Sequence, residues 1–211
     1  MVNYRRSPPR RPKNPLASLL QTAALHPLDS PEQSALLTLL HGLKSVSDTD
    51  GLANSSNPCT PPTTTTISLP LLNETARALF FDRPRGWHAA AQWTNLNAFL
   101  ARATKDGLLV PGLQDLGIAN AREALEMRQE PEERLDVLLA GAGVWMVVMG
   151  EEIWGFLREG EGAEDKRGGG NVWERWQFWK RRFLFMSHRE DLSVASRELA
   201  AEAEAVMGRV A

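Results

Sequence analysis

Fourteen consecutive uncharged, largely apolar residues, Val137 to Gly150 between Asp136 and Glu151, set the tightest limit on what this chain can fold into. Apolar residues fall on every side of a helix drawn through them, so other elements must cover that helix all round. As a helix the run spans about 21 Å at 1.5 Å per residue, short of the roughly 30 Å hydrocarbon core of a bilayer. It therefore reads as the buried central helix of a bundle, starting at Pro131 and ending near Arg158, and not as a membrane span. Within it, Ala140-Gly141-Ala142-Gly143 strips away side-chain bulk. Glycine costs about 1 kcal/mol of helix propensity relative to alanine, so these positions point to close approach by another helix.

A central helix of this kind needs amphipathic partners, and the rest of the chain supplies them. Ser30-Pro31-Glu32-Gln33 has the form of a capping box with proline at the first helical position. Behind it Leu36, Leu39, Leu40, Leu43 and Val46 keep one face, and a shorter helix is expected around Leu16 to Leu25. Helical spacing recurs in Leu69 to Phe80 and in His88 to Thr104, where Ala89, Trp93, Leu96, Leu100 and Ala103 form a stripe edged by Gln92 and Asn97. Asp115 to Arg128 follows, with Ile118, Ala121 and Leu125 inward, then the tryptophan segment, and last Arg189 to Met207 with Leu192, Leu199, Ala203 and Val206 on one side. No alternating strand pattern and no internal repeat occurs. The expected fold is all-α, a single helical bundle of about seven helices over residues 15–208.

Two segments stand apart from the bundle. Residues 1–14 contain Arg5, Arg6, Arg10, Arg11 and Lys13 with no acid, and Pro8, Pro9 and Pro12 oppose a helix there. This is expected to be a disordered basic arm, with a nuclear address, and after it a mitochondrial presequence, as the sharper alternatives. Residues 47–66 are rich in Ser, Thr, Asn, Asp, Gly and Pro, and read as a mobile loop inserted in one domain. The remainder of the chain carries 19 basic against 26 acidic residues, a net charge of −7 that disfavours nucleic acid as a partner. A lone cysteine, Cys59, forms no internal disulfide, and no apolar leader precedes the arm, so a cytoplasmic or nuclear location is expected.

The most unusual composition lies between Asn171 and Phe185. Trp173, Trp176 and Trp179 follow at three-residue steps, with Phe183 after them and Lys180, Arg181 and Arg182 interleaved. On a helix these aromatics and Met186 share one broad side, while Phe178 and Phe185 lie on another beside Arg181 and Arg182. Burying one indole is worth on the order of 3–5 kcal/mol. Leaving three exposed would forfeit much of the roughly 5–15 kcal/mol that stabilises a domain, so most of the first side belongs to the core. The second side is the better place to look for function.

Three segments carry a resemblance: Trp93-Thr94-Asn95-Leu96-Asn97-Ala98-Phe99-Leu100-Ala101-Arg102, Ala121-Arg122-Glu123-Ala124-Leu125-Glu126, and Trp173-Glu174-Arg175-Trp176-Gln177-Phe178-Trp179-Lys180-Arg181-Arg182-Phe183. In that order and spacing the chain resembles a fungal family of uncharacterised proteins, domain of unknown function 3632, over roughly Leu16 to Phe185. Two departures are Asn120, where a large aromatic would be expected, and the long Ser/Thr loop. The resemblance implies a fungal, intracellular, helical protein and supplies no catalytic residue.

Motifs for catalysis are missing. His26, His41, His88 and His188 are scattered and cannot join one cysteine in a zinc site. No G-x-S-x-G occurs, and Gly168-Gly169-Gly170 lacks the frame of a phosphate loop. Asp136, Glu151 and Glu152 bracket the central helix as acid–base candidates, though ion pairing is the commoner role for such groups. The reading therefore leans away from an enzyme and implies no cofactor and no metal. It favours a module that binds an unknown protein or an apolar small molecule. The candidate binding residues are Trp173, Trp176, Phe178, Trp179, Arg181, Arg182 and Phe185, with Asn97, Arg122 and Glu151. The alternative is a cofactor-free cyclase or isomerase that uses the same groups around a Trp-lined pocket.

Overall fold

The computed structural model describes residues 15–53, 69–81, 90–109, 112–127, 132–164 and 171–210. Among these, eight helices and no strands occur: α1 (Pro15–Ala24), α2 (Pro31–Ala53), α3 (Leu69–Phe81), α4 (Ala90–Lys105), α5 (Gln114–Leu125), α6 (Glu132–Glu164), α7 (Val172–Ser187) and α8 (Val194–Val210). The expected all-α class holds, with eight helices in place of about seven. The expected basic arm at 1–14, Ala89 and residues 54–66 of the expected loop lie outside the described residues. The first part of that loop is a correction: α2 runs on to Ala53, since Ser, Asp and Thr disfavour a helix by well under about 1 kcal/mol each and do not break it.

α6 is the axis, and α8, α4 and α5 cover it most extensively. Its length and composition, over Leu135–Glu159, would allow a membrane crossing, but 67% of that window is buried inside the protein. The small residues do what their size suggests. A Cβ on Gly141 would come within 2.7 Å of the Trp93 indole nitrogen, and one on Gly143 within 3.3 Å of Leu199. Seven residues further, a Cβ on Gly150 would lie 2.8 Å from the Val206 methyl Cγ1. Gly143 and Gly150 thus face Leu199 and Val206 at matching two-turn spacing, which seats α8 directly on the α6 backbone. Beside Gly150 the helix bends: Met149 has φ −129° and ψ 23°. Lys105, at the end of α4, donates to the Val148 carbonyl at 2.7 Å and lies 3.4 Å from Glu152. It satisfies a backbone acceptor next to the bend.

α4 ends at a glycine for a clear reason. Gly107 takes φ +66°, a left-handed conformation open to glycine, and Leu108 N then reaches back to the Ala103 carbonyl at 2.9 Å. The box at the start of α2 forms only by half. Ser30 Oγ accepts from Gln33 N at 3.1 Å, but the Gln33 side chain turns inward. Its Nε2 faces the carbonyls of His26 (2.8 Å), Asn95 (2.9 Å) and Ala23 (3.2 Å), tying the end of α1 to α4. That inward turn rotates the buried face of α2. Leu37 and Leu40 are buried while Leu39 is 60% exposed, contrary to the expected stripe.

Candidate functional site

The tryptophan helix α7 is started by Asn171, whose Oδ1 accepts from Trp173 N at 2.8 Å, with Glu174 in the first turn where the helix dipole favours an anion. Its inner face is Val172, Trp176, Trp179, Phe183 and Met186, all buried. Trp176 Nε1 donates to the Met207 carbonyl at 3.3 Å, which joins α7 to α8. Trp179 Nε1 donates to Glu126 Oε1 at 2.8 Å, and Arg175 Nε lies 3.2 Å from the same oxygen. Glu126, just past α5, is not among the candidates that the sequence pattern singles out. Its role needs α5 and α7 side by side.

Trp173 does not share that burial. It is 47% exposed at the rim, its ring edge-on to Trp154 at 5.9 Å, while Trp154 also tilts against Trp176 at 5.1 Å. Arg158 covers the Trp154 ring at 5.9 Å. A depression of about 330 Å³ opens nearby, and Gly155, Arg158 and Glu159 are its walls among the described residues.

The outer face of α7 carries the groups that the core does not use. Phe178 is 38% and Phe185 56% exposed, Arg181 is exposed, and Arg182 is half-buried with its guanidinium carbon 5.8 Å from the Phe185 ring. Positions 178, 181, 182 and 185 stand at i, i+3, i+4 and i+7, so they form one stripe. Leu184 is also exposed, on the Trp173 flank. Lys180 points away from the stripe, 3.8 Å from Glu204 of α8.

The remaining candidates differ in burial: Asn97 lies in the core, whereas Arg122 and Glu151 are exposed. Asn97 is fully buried in α4, where its Nδ2 donates to the Trp93 carbonyl at 2.8 Å. Its Oδ1 accepts from Asn120 Nδ2 at 2.7 Å and from Trp145 Nε1 at 2.8 Å. Arg122 is exposed on α5 and Glu151 exposed on α6. Asp136 also proves structural: its carboxylate accepts from Ser193 N at 2.9 Å, and its carbonyl from Ser196 Oγ at 3.2 Å, at the start of α8. Ser193 Oγ in turn caps Ser196 N at 3.2 Å. In the turn before α8 the Arg189 guanidinium bonds both oxygens of Asp191, and this hydrogen bonding holds the carboxyl below its ordinary value. Among the described residues no cluster of three or more His, Cys, Asp or Glu is placed to hold a metal ion.

The model of a family described as "Protein of unknown function (DUF3632)" matches residues 17–183. No curated protein and no solved structure matches the chain.

Proposed function

The chain belongs to the DUF3632 family, and from the division of α7 into two faces we propose that it is a non-catalytic module that binds another protein through the outer face of that helix. One observation carries the reading: once Trp176, Trp179 and Phe183 have gone into the core, Phe178 and Phe185 remain exposed on a common stripe with Arg181 and Arg182. Single exposed apolar residues are ordinary, but two phenylalanines on one stripe joined by arginine stems form a continuous amphipathic strip. Aromatic and arginine side chains are the types enriched where protein interfaces bury surface.

A small molecule held among the tryptophans has less support, because Trp176 and Trp179 fill space instead of lining it. A cofactor-free cyclase or isomerase would need Asn97, Arg122 and Glu151 around one cavity, and with Asn97 fully buried and Arg122 and Glu151 exposed it has less support. An intracellular setting, cytoplasmic or nuclear, is part of the same proposal and rests on the lone Cys59.

In-cell photocrosslinking tests it. A photoreactive residue in place of Phe185 should give a discrete protein adduct that the same label at Thr38, on the outside of α2, does not give. Equal adducts from both positions would overturn the proposal. So would turnover of a metabolite by the purified chain that one surface substitution abolishes.

A further inference from the structure

We propose, building on the α7 docking face above, that its partner is an acidic amphipathic helix: a segment with an apolar stripe flanked by Asp or Glu. Charge supplies the argument. Along α7 and the turn that follows it, Arg175 is matched by Glu126, Lys180 by Glu204 and Arg189 by Asp191. Arg181 and Arg182 have no ion pair among the described residues, and they alone stand between the two exposed phenylalanines. Two unmatched cations in a chain that carries net −7 outside its basic arm form a local reversal of sign. A carboxylate donor set on the partner completes it.

The geometry suits a helix. Phe178 and Phe185 are seven residues apart, about 10 Å along the axis, which is the two-turn spacing of apolar anchors on a facing helix. Arg182 lies against the Phe185 ring, and its buried Nε makes no hydrogen bond among the described residues. The guanidinium is thus half-buried beside an exposed ring, with no carboxylate of its own chain paired to it among the described residues. Glu174 occupies the N-terminal end of the same face. The partner's acidic residues accordingly belong over Arg181 and Arg182, and its apolar end over Phe178.

Other occupants fit less well. A second copy related by a two-fold axis through the centre of the stripe would set Arg181 and Arg182 against their own equivalents, four guanidinium groups in one place. An anionic membrane would meet only two unmatched cations together with Glu174, too little charge for a lasting hold. Nucleic acid would face the repulsion of the acidic remainder of the chain.

The full-length chain, panned against a phage-displayed library of random peptides long enough for four helical turns, gives the test. Enriched peptides are expected to be acidic, with apolar residues at i, i+3 or i+4, and i+7. A synthetic copy of the dominant peptide should bind about tenfold or more weakly to Arg181→Glu/Arg182→Glu than to the unaltered chain. It should also bind more weakly to Phe178→Ala/Phe185→Ala, with both variants unfolding at the parent temperature. Neutral or basic peptides that still depend on Phe178 and Phe185 would overturn the acidic partner and leave the docking face standing. Enrichment indifferent to both double variants would unseat the docking face itself. An empty selection overturns the acidic helix, and vesicles containing phosphatidylserine, or a single-stranded oligonucleotide, bound through Arg181 and Arg182 would put a membrane or nucleic acid in its place.

Discussion

Asn97 shows how one side chain can hold three helices in register. It bonds to its own helix through the Trp93 carbonyl, and its oxygen takes donors from Asn120 on α5 and Trp145 on α6. Truncating it leaves two buried donors without that acceptor, each costing about 1–3 kcal/mol. Asn97→Ala is therefore expected to lower unfolding free energy by about 2–6 kcal/mol in urea titration. A loss under about 1 kcal/mol would show that the network is incidental. On the sequence Asn97 looked like an edge residue because the stripe on α4 was drawn for a helix buried on one side. α4 is packed between α1 and α6, so its polar edge is inside as well. No periodicity in α4 alone could reveal that. Asp191 offers a second residue-level check. Its folded carboxyl titrates below 3.8 because of Arg189, so its contribution is complete above that value and disappears as pH falls through the lower, folded midpoint. Carboxyl NMR should place that midpoint below the usual aspartate value and raise it in Arg189→Gln. An unchanged midpoint in the variant would rule out the arginine as the cause.

α7 separates into faces with different energetic weight, and substitution should read out the difference. Trp176→Ala removes a fully buried indole and its bond to the Met207 carbonyl, and is expected to cost about 3–5 kcal/mol. Phe185→Ala, on the exposed stripe, should change stability by no more than about 1 kcal/mol. Equal losses from the two would mean that the outer face belongs to the core and has no surplus for binding. The spacing of the three tryptophans pointed to burial, and two of them are buried. Trp173 is not, because Trp154 of α6 meets it at the rim and closes the core before it. That boundary depends on how far α6 reaches past its bend. The bend at Met149 is not legible in the sequence, where Gly150 only ends an apolar run. Next to it α8 packs closely: a methyl at position 150 would meet the Val206 Cγ1 at 2.8 Å. Gly150→Ala should thus destabilise by about 1–3 kcal/mol, opposite in sign to an alanine's usual gain in a helix, as thermal unfolding would reveal.

For the molecule as a whole, the decisive question is where the folding unit stops. The family match ends at residue 183, inside α7, whereas α8 begins at Val194. The apolar pattern of the central helix required cover on several sides, and this much could be read from Val137 to Gly150. It could not say which helices provide it, because every helix in the chain has an apolar face. The packing assigns α8 and α4 nearly equal and largest shares. In α8, Ala200, Ala203 and Met207 are buried against α6 and α7, Leu199 and Val206 close over Gly143 and Gly150, and Met207 accepts the Trp176 proton donor. Two more ties hold its first turn to α6, through Asp136 to Ser193 and Ser196. Ending the chain at Ser187 would bare all of these surfaces at once while leaving all of the matched residues in place. Losing several buried apolar side chains and their cover forfeits an amount comparable to the whole roughly 5–15 kcal/mol of a domain. The truncated protein is expected to lose its cooperative thermal transition and near-ultraviolet circular dichroism, and to bind a hydrophobic dye while retaining helix. Cooperative melting within about 5 °C of the full chain would show instead that α8 is an accessory to a core complete at α7.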